Sequence, residues 1–537
     1  MSVQHIRLAG TRSVLVELED LDSVLALNAA LEASPLPGQL DVLTAARTVL
    51  IKTDSRCAAK RAAALVPLLD LGVAGAQVGK LITVEVTYNG TDLAKVAELT
   101  GQSVEAVIAA HTSQTWTAAF GGFVPGFAYL LGENSVLNVP RRSSPRTAVP
   151  PGSVALAGGY SAVYPRQSPG GWQLLGHTET AMWDLDREHP ALIHPQDRVR
   201  FVPVTERTSI RPGASAPART SSTRTGARLQ VLDPGLQSLF QDLGRPGQGN
   251  LGVTVSGAAD TASSRQANRL VGNRSQAAVI ENLTGSMQLR ALQDVVLAVT
   301  GAEADLRVTP AENDDLRTER SPAMNTPFAL LSGETLALTP SGRGLRSYLA
   351  VRGGFTVDKV LDSASSDTLS GLGPPPLAAG QQLTVGPDLN LPAVGLPEPS
   401  TLPHTDDAGD YLLRVVPGPR DDWFGSPGLQ QLVSQRWSIS AESNRVGVRL
   451  LSDTGGALSR IRSGELASEG VVPGALQVPP SGLPVLFLAD HPVTGGYPVI
   501  ATVVAEDLST AAQLPPGTTI RFVLVDTPPS ETKDCPA

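Results

Sequence analysis

Four side chains of this 537-residue chain could carry proton-transfer chemistry. His111 follows an apolar helical run, Glu469 lies in a Ser-Glu-Gly turn, and Asp490 follows the apolar run Pro-Val-Leu-Phe-Leu-Ala. An apolar strand delivers a carboxylate to a partly desolvated position, which raises its pKa. We therefore expect His111, Glu469 and Asp490 to be catalytic, although a core histidine and two salt bridges are alternative interpretations. His177, which follows a Gly-Gly-Trp segment and belongs to a residue type that titrates near neutral pH, is a candidate binding residue.

A second group of residues could bind an anion. Arg141 and Arg146 lie among prolines in the string Pro-Arg-Arg-Ser-Ser-Pro-Arg. Rigid loops hold side chains in place, and guanidinium groups match carboxylate and phosphate oxygens. The pairs Gly170-Gly171 and Gly495-Gly496 could let backbone N–H groups approach the same anion. A solvated arginine face and tight hairpins explain these residues equally well, so both interpretations stay open.

A third set of polar residues lies near the start of the C-terminal unit. Asp242 and Arg245 belong to a glycine-rich turn, whereas Asp260 and Asn268 belong to a predicted helix over Asp260–Val271. Asp260 is placed to cap the unpaired amides at the start of that helix. The four residues are either a cap-and-turn network or the polar rim of a pocket.

Several familiar cofactor motifs are absent. The segment Gly75–Leu81 is one residue short of a nucleotide-binding P-loop, and Leu81 cannot ligate magnesium. Gly247–Gly252 matches Gly-x-Gly-x-x-Gly, but Val-Thr-Val-Ser-Gly follows it instead of a helix. None of the four methionines neighbours a lysine, which excludes covalent biotin on this chain. No histidine or cysteine spacing typical of a metal site occurs, so we expect no metal bound by such ligands.

The composition limits the class of protein. Charged residues are 17% of the chain and the net charge is −9, without a basic run, which argues against nucleic acid as a partner. No apolar stretch is long enough to span a bilayer and the first residues are polar, so we expect no membrane association and a cytoplasmic location. The 52 glycines and 43 prolines favour many short strands over long helices.

The predicted elements give a mainly β fold with an α+β lobe. The lobe contains a strand over Arg7–Leu18, a helix over Leu21–Ala33, a strand over Thr48–Lys52 and a helix over Ser55–Leu71, an order typical of a ferredoxin-like unit. Beyond it, short β runs predict barrels or sandwiches. The predicted domains are the lobe (1–80), a β unit (81–205), a linker (206–228), two further β subdomains (229–390 and 410–525) and a tail (526–537).

Long motif strings carry a family resemblance. They are Phe120–Gly132, Pro140–Arg146 and Tyr164–His177 in the N-terminal unit, and Gly235–Gly247, Ser443–Leu450, Ser468–Pro479 and Ala489–Pro498 in the C-terminal unit. The N-terminal unit resembles the B subunit of the prokaryotic ATP-dependent 5-oxoprolinase, and the C-terminal unit resembles the C subunit. The same families are named allophanate hydrolase subunits 1 and 2, or a kinase inhibitor and its antagonist. Fused, they resemble the carboxyltransferase domain of urea carboxylase.

The resemblance implies a cyclophilin-like β-barrel in the N-terminal unit and two related barrels in the C-terminal unit. It implies that the lactam of 5-oxo-L-proline is opened to L-glutamate with hydrolysis of ATP, which is expected to bind with magnesium. The separate A subunit of that enzyme is the expected partner, and the protomers are expected to form a homo-oligomer. Phosphorylation of the lactam oxygen would turn a poor electrophile into a reactive one, which explains the use of ATP.

Some family residues are kept and others differ. The family string Ser-Asp-Arg-Met-Gly is Ser443–Gly447 here, and Asp-Arg-Gln-Thr-Thr-Gly-Gly-Tyr is Asp490–Tyr497. Because Arg445 and Thr494 are kept, the resemblance implies that both bind substrate or phosphate. The differences leave two other functions open. One is a carboxyltransferase or amide hydrolase for urea-like substrates, with biotin on another chain, and the other is a non-catalytic inhibitor of a sensor kinase.

Overall fold

The computed structural model describes residues 3–69, 79–142, 144, 146–205, 226–284, 287–311, 318–453 and 456–525. Most regular structure is strand, arranged in barrels and a small α+β lobe. The predicted fold class is therefore confirmed. Residues 206–225 of the predicted linker and the whole predicted tail lie outside the described residues. The domain boundaries stay predictions.

The N-terminal lobe consists of two hairpins, each followed by a helix. Its elements are β1 (Val3–Leu8), β2 (Ser13–Leu18), α1 (Leu21–Ala33), β3 (Gln39–Thr44), β4 (Thr48–Thr53) and α2 (Arg56–Leu65). The strands form one antiparallel sheet in the order β1-β2-β4-β3. The single predicted strand over Arg7–Leu18 is wrong, because Gly10 adopts a φ of 77° and reverses the chain between β1 and β2. Strand β3 was missed.

The next unit is a nearly closed barrel. Its elements are β5 (Leu81–Val86), α3 (Leu93–Thr100), α4 (Val104–Thr112), β6 (Trp116–Gly121), β7 (Ala128–Gly132), β8 (Arg146–Val149), β9 (Ser153–Ala157), β10 (Tyr160–Val163), β11 (Ser168–Gly170), β12 (Gln173–His177) and β13 (Arg198–Pro203). Seven strands follow the order β12-β9-β10-β7-β6-β13-β5, and β8 pairs with β11 separately. A backbone bridge between Thr87 and His177 joins the two ends of the sheet.

The first C-terminal subdomain packs two five-stranded sheets around one apolar core. Its elements are β14 (Ala227–Asp233), β15 (Gln237–Gln241), α5 (Thr261–Leu270), β16 (Val279–Leu283), β17 (Met287–Ala291), β18 (Val295–Gly301), β19 (Ala304–Thr309), β20 (Phe328–Leu330), β21 (Thr335–Pro340), β22 (Arg346–Val351) and β23 (Gln382–Thr384). Asp260 caps α5, since its side chain accepts hydrogen bonds from the backbone N–H of Ser263 at 3.0 Å and from the Ser263 hydroxyl at 2.6 Å. The predicted cap is confirmed.

The second C-terminal subdomain contains a closed barrel. Its elements are β24 (Tyr411–Pro417), α6 (Gly425–Ser434), β25 (Trp437–Ile439), β26 (Gly447–Ser452), β27 (Glu469–Gly470), β28 (Ala475–Gln477), β29 (Val485–Phe487), β30 (Thr494–Gly495), β31 (Val499–Val503), α7 (Leu508–Ala512) and β32 (Thr519–Leu524). The barrel order is β24-β31-β28-β29-β26-β25-β32. Strands β27 and β30 pair outside the barrel.

The lobe packs against this last barrel, although the two lie at opposite ends of the sequence. Leu15, Leu43 and Leu50 of the lobe share an apolar cluster with Val471 and Phe487. The other face of the lobe sheet packs on its own helices. Two buried faces explain why β2 and β4 are each buried at five of their six positions and carry continuous apolar runs at their centres. No helix in the described ranges is long and apolar enough to cross a membrane.

Candidate functional site

Two of the motif strings meet in a short antiparallel ladder. Glu469 pairs with Gly495, and Gly470 pairs with Thr494. Successive side chains of a strand point to opposite faces. Ser468 and Glu469 therefore point in opposite directions, with Ser468 toward the N-terminal barrel. This ladder places the hydroxyls of Ser468 and Thr494 at the junction between the two halves of the chain.

The N-terminal barrel contributes the Gly-Gly-Phe turn that follows β6. The backbone N–H of Phe123 donates to Oγ1 of Thr494 at 3.2 Å. Phe123 itself has a φ of 62°, a conformation that costs energy for a residue with a bulky side chain. A Cβ on Gly122 would lie 2.5 Å from Thr494 Oγ1, so only glycine permits this close approach. Backbone strain of this kind concentrates at functional sites, which makes the junction a candidate site.

Tyr129 brings a third hydroxyl to the same place. Its ring stacks on Phe120 at 4.3 Å, and its hydroxyl hydrogen-bonds with the side chains of Ser468 and Thr494. Burial raises the pKa of Tyr129, while the nearby charge of Arg141 and the two hydrogen bonds act to lower it. The phenol therefore stays protonated at neutral pH and remains a donor. Arg141 is exposed and supplies a positive charge at the rim.

We call Phe123, Tyr129, Arg141, Ser468 and Thr494 the junction cluster. It offers three hydroxyls and one cation, which suits a small ligand that carries a carboxylate and a carbonyl oxygen. Of its members, the sequence predicted Arg141 and Thr494 and missed the other three. Phe123, Tyr129 and Ser468 lie inside the motif strings, so the signal was present, but nothing in the strings indicated which aromatic or hydroxyl group points to the other half.

Glu469 lies beside the junction cluster and points away from it. The side chain is buried, and its Oε2 accepts from Arg420 Nε at 2.8 Å and Arg420 Nη2 at 2.7 Å. Burial raises the pKa of Glu469 against the opposing effect of Arg420. The expected direction of the shift is confirmed. Its Oε1 is buried without a hydrogen-bond partner among the described residues, and Arg420 also contacts Glu17 of the lobe at 3.2 Å.

Asp490 is fully buried and saturated with hydrogen bonds. It accepts from Arg445 at 2.9 and 3.0 Å, from the Ser256 hydroxyl at 2.6 Å, and from the backbone and hydroxyl of Thr368 at 2.9 and 2.7 Å. Burial acts to raise the pKa of Asp490, but Arg445 and these hydrogen bonds outweigh it and the pKa is lowered. The expectation of a raised pKa is wrong for Asp490. A carboxylate held in this way is poorly suited to accept a proton.

Arg445 connects the two C-terminal subdomains. Besides Asp490, it donates to Glu281 of β16 and to the backbone oxygen of Gly257 at 2.7 Å. Arg445 and Glu281 are each 3% exposed at their side chains. Burial acts to lower the pKa of Arg445, but the two carboxylates outweigh it and raise the pKa overall. We call Arg445, Asp490 and Glu281 the buried ion network. Its position indicates that Arg445 holds subdomains together, in place of the ligand contact that the resemblance implies.

Asp242 and Arg245 contact the loop of residues 363–373. Asp242 accepts from the Ser363 hydroxyl at 2.7 Å and from the backbone of Ala364 at 2.8 Å. Arg245 is 2% exposed and donates to the backbone oxygen of Ser365, but its Nη1 is buried without a hydrogen-bond partner among the described residues. Of the two interpretations of this pair, the turn network accounts for Asp242, and the unpaired nitrogen of Arg245 leaves the pocket-rim interpretation open.

His111 lies in the core of the N-terminal barrel. It is 0% exposed, contacts the Tyr88 hydroxyl at 2.7 Å and the Ser161 hydroxyl at 2.9 Å, and packs on Phe201 at 4.4 Å between ring centres. Burial lowers the pKa of His111 to about 3. The histidine is therefore neutral and enclosed, and it hydrogen-bonds with two hydroxyls. This environment does not favour proton transfer, and the catalytic assignment of His111 stays a prediction.

Arg146 is engaged by an acid that the sequence analysis did not single out. Asp92 accepts from Arg146 and Arg142 at 2.8 Å each and from the backbone of Leu174 at 2.8 Å. Burial acts to raise the pKa of Asp92, but its hydrogen bonds and the two arginines lower it overall. Two of the three arginines in the loop that carries Arg141, Arg142 and Arg146 are therefore bound to Asp92 of the barrel. Arg141 is the one that lies near Tyr129.

The remaining predicted residues have mostly local roles. His177 closes the barrel through its backbone, and its Nε2 lies 2.9 Å from Glu179. Asn268 is buried and donates to the backbone oxygen of Ala277 at 2.8 Å. Two of the predicted glycines are closely packed: a Cβ on Gly170 would lie 2.2 Å from the Tyr164 hydroxyl, and a Cβ on Gly495 would lie 2.3 Å from Gln477. Gly496 has more space, since the nearest atom to an added Cβ is the Leu466 backbone oxygen at 3.6 Å. Gly171 accepts from the backbone of Arg142 at 2.8 Å.

Among the described residues, no group of three or more histidine, cysteine, aspartate or glutamate side chains is placed to hold a metal ion.

Comparison with known families matches both halves of the chain. A model of the carboxyltransferase domain, subdomains A and B, matches residues 251–524, and a model of subdomains C and D matches residues 4–193. A crystal structure of TTHA0988 superposes with a TM-score of 0.82 at 35% identity, covering 95% of this chain and 99% of that chain. The two modules are therefore joined in the same way in a solved structure.

Curated relatives match the halves separately. The chain is 33% identical over 300 residues to the C subunit of 5-oxoprolinase from Escherichia coli K12, covering 55% of this chain and 90% of that relative. It is 45% identical over 130 residues to the B subunit of 5-oxoprolinase from Escherichia coli O157:H7, covering 24% of this chain and 60% of that relative. It is 29% identical over 324 residues to the urea amidolyase of Lachancea kluyveri, covering 55% of this chain but 17% of that relative.

Proposed function

The chain belongs to the carboxyltransferase domain family, with subdomains C and D ahead of subdomains A and B in one polypeptide, and from this we propose that it is the fused B and C component of an ATP-dependent 5-oxoprolinase. The observation that carries the proposal is the match of one chain, over 300 and 130 residues, to two relatives named as the C and B subunits of 5-oxoprolinase. The separate A subunit completes the enzyme. Pairing of protomers and a cytoplasmic location stay predictions.

The reaction opens a lactam at the expense of ATP. Transfer of the γ-phosphoryl group to the lactam oxygen, addition of water to the ring carbon and cleavage of the C–N bond give glutamyl phosphate and ADP. A second water then hydrolyses glutamyl phosphate to glutamate and phosphate. Magnesium accompanies the nucleotide and neutralises charge on its phosphates.

The junction cluster binds 5-oxoproline in this proposal. Arg141 pairs with the substrate carboxylate, and the hydroxyls of Tyr129, Ser468 and Thr494 donate to the lactam oxygen as charge develops on it. Such donors stabilise a transition state because they are fixed in place before the reaction begins. The strained turn at Phe123 and the Thr494 contact at 3.2 Å support this choice, because they fix the hydroxyls relative to the aromatic face of the barrel.

Glu469 acts as a positioning residue in this scheme. Its ion pair with Arg420, at 2.7 Å, holds the strand that presents Ser468. Glu17 of the lobe joins the same arginine, so the lobe, the last barrel and the site are connected through one guanidinium group.

The proposal is tested by mixing the purified chain with a homologue of the A subunit and 5-oxoproline, with and without ATP. We expect release of glutamate and phosphate in equal amounts only when both proteins and ATP are present. Absence of glutamate with folded components would reject the proposal.

A second function is favoured by the match to urea amidolyase, which aligns with 55% of this chain. In that case the chain transfers a carboxyl group from carboxybiotin to urea, with biotin attached to a separate carrier because this sequence has no lysine beside a methionine. Carboxylation of urea by the chain plus a biotinylated carrier, without glutamate release, would select this function.

A further inference from the structure

A cavity of about 360 Å³ lies where the N-terminal lobe meets the C-terminal barrel. Its walls come from the hairpin β1–β2, from helix α2, from the end of β24 and from Val525. Cavities of this size are typical of small-molecule sites. Three cations, Arg7, Arg56 and Lys60, line it, and no acidic residue of the described ranges does. We propose that this cavity binds the phosphate groups of a nucleotide at a second site, apart from the ATP that phosphorylates the lactam. The backbone N–H of Ala46 donates to the Ser468 backbone oxygen just before β4 begins, whereas Arg56 and Lys60 follow the end of β4, so the cavity and the junction cluster lie at opposite ends of that strand.

Arg56 and Lys60 are available to a ligand. They lie four residues apart on α2 and so share one face of the helix. Arg56 Nη2 is buried without a hydrogen-bond partner within the described ranges. Of the lysines in the described residues, Lys52 pairs with Asp41 and Lys95 pairs with Glu98, whereas Lys60 has no ion-pair partner there. A buried guanidinium nitrogen left unpaired is costly, and a phosphate oxygen would satisfy it.

Arg7 is only loosely engaged by acids. Its Nη2 lies 3.4 Å from Asp422 and its Nε lies 4.0 Å from Glu17, both longer than a strong ion-pair hydrogen bond. Arg7 Nε likewise has no hydrogen-bond partner in the part of the chain that the structure describes. An incoming phosphate can therefore bind Arg7 without breaking a short contact.

The cavity also has apolar lining. Leu8, Val416 and Pro417 contribute to it, and Leu8 is 42% exposed despite its apolar side chain. A cavity lined by both cations and apolar side chains fits a molecule of the same mixed character, and a nucleotide combines phosphates with a flat base. The N-terminus of α2, capped by Ser55, adds a partial positive charge close to Arg56.

The cavity also accounts for the absence of a nucleotide loop from the sequence. Neither half of the chain forms the cavity alone, because its cations lie in the lobe and its apolar residues lie mainly in the last barrel. A nucleotide bound in the cavity therefore contacts both fused modules.

Isothermal titration of the full chain with ATP and magnesium tests the proposal in the absence of any second protein. The double substitution Arg56→Gln and Lys60→Gln removes both cations that lack acid partners among the described residues. We expect the dissociation constant for ATP to rise at least about tenfold, since hydrogen bonds to charged groups make a large contribution to binding. Lys95→Gln, which removes an exposed lysine of the neighbouring barrel, is the matched control and should bind ATP as the unchanged chain does.

Two further ligands identify which part of the nucleotide is recognised. Inorganic tripolyphosphate should compete with ATP, and adenosine should not. Equal ATP affinity of the double variant and the unchanged chain, or no ATP binding by the unchanged chain, would overturn the proposal. If the double variant loses ATP binding while the unchanged chain with its A-subunit partner releases no glutamate, the nucleotide site stands and the 5-oxoprolinase function falls. The urea unfolding midpoint of the variant confirms that it is folded.

Discussion

Thr494 Oγ1 accepts a hydrogen bond of 3.2 Å from the backbone N–H of Phe123, a residue 371 positions earlier in the chain. The contact joins the N-terminal barrel to β30 of the second C-terminal subdomain at a strained backbone position, since Phe123 has a φ of 62°. The two halves, which match separate subunits among the relatives, therefore contact each other at the candidate site.

Removal of the Tyr129 hydroxyl tests the junction cluster directly. Tyr129→Phe keeps the ring that stacks on Phe120 and deletes the hydroxyl that bonds with Ser468 and Thr494. We expect kcat/KM for 5-oxoproline, measured with the A subunit present, to fall at least about tenfold, with little change in the unfolding midpoint. Tyr160→Phe, in the same aromatic group, should leave kcat/KM unchanged. Equal effects of the two substitutions on kcat/KM would show that the Tyr129 hydroxyl does not bind the substrate.

The close approach of backbones at the junction should make Gly252 irreplaceable. Gly252 has a φ of 75°, and a Cβ there would lie 2.5 Å from the backbone oxygen of Val124. Gly101 has a φ of 66° with nothing within 4 Å of an added Cβ, so Gly101→Ala isolates the cost of the backbone conformation, about 1–2 kcal/mol. Gly252→Ala should lower the unfolding free energy by clearly more than Gly101→Ala. Equal losses would show that the halves tolerate separation here.

The buried ion network should be costly to break. Arg445→Met leaves Asp490 and Glu281 buried without this cation, and such losses destabilise proteins by about 3–5 kcal/mol. Arg449→Met, on an exposed arginine 3.7 Å from Glu442, should change the unfolding free energy by less than about 0.5 kcal/mol. Urea unfolding of the two variants compares them. A small effect of Arg445→Met would mean that the network does not hold the subdomains together.

Two buried histidines predict how stability depends on pH. Burial lowers the pKa of His111 and His491 to about 3, against about 6.5 in the unfolded chain. Between these values the unfolded chain binds more protons, so stability is fully present above about pH 6.5 and falls as the pH drops. Each histidine contributes about 1.4 kcal/mol per pH unit.

Between about pH 6.5 and 5, His111→Gln should therefore reduce the slope of unfolding free energy against pH by the contribution of one histidine. His5→Gln, at an exposed position of β1, is the control and should leave the slope unchanged. A slope that His111→Gln does not alter would contradict the enclosed position of His111.

Features set by local sequence were predicted well. The Asp260 helix cap depends on a residue three positions away, and it is found where the sequence places it. The barrels followed from the density of turns together with the family resemblance. The two strands of the first lobe hairpin were predicted as one, because the chain reverses at Gly10 within a short run that carries no strong turn signal.

Partners distant in sequence were beyond prediction. Asp490 follows an apolar strand as expected, but nothing local indicates that Arg445 and Ser256 saturate its oxygens. The sequence around His111 does not show whether its side chain faces a pocket or the core. In the structure it hydrogen-bonds with Tyr88 and Ser161, which are distant in sequence. Likewise, the cations of the cavity were not singled out, because Arg7 and Arg56 come together only when the lobe folds.

The most direct test of the two proposed sites is an experimental structure of the chain with the A subunit, 5-oxoproline and a non-hydrolysable ATP analogue. We predict 5-oxoproline within hydrogen-bonding distance of Tyr129 and Thr494, and the analogue's phosphates beside Arg56 and Lys60. Binding of 5-oxoproline away from the contact between the two halves would contradict the proposed function.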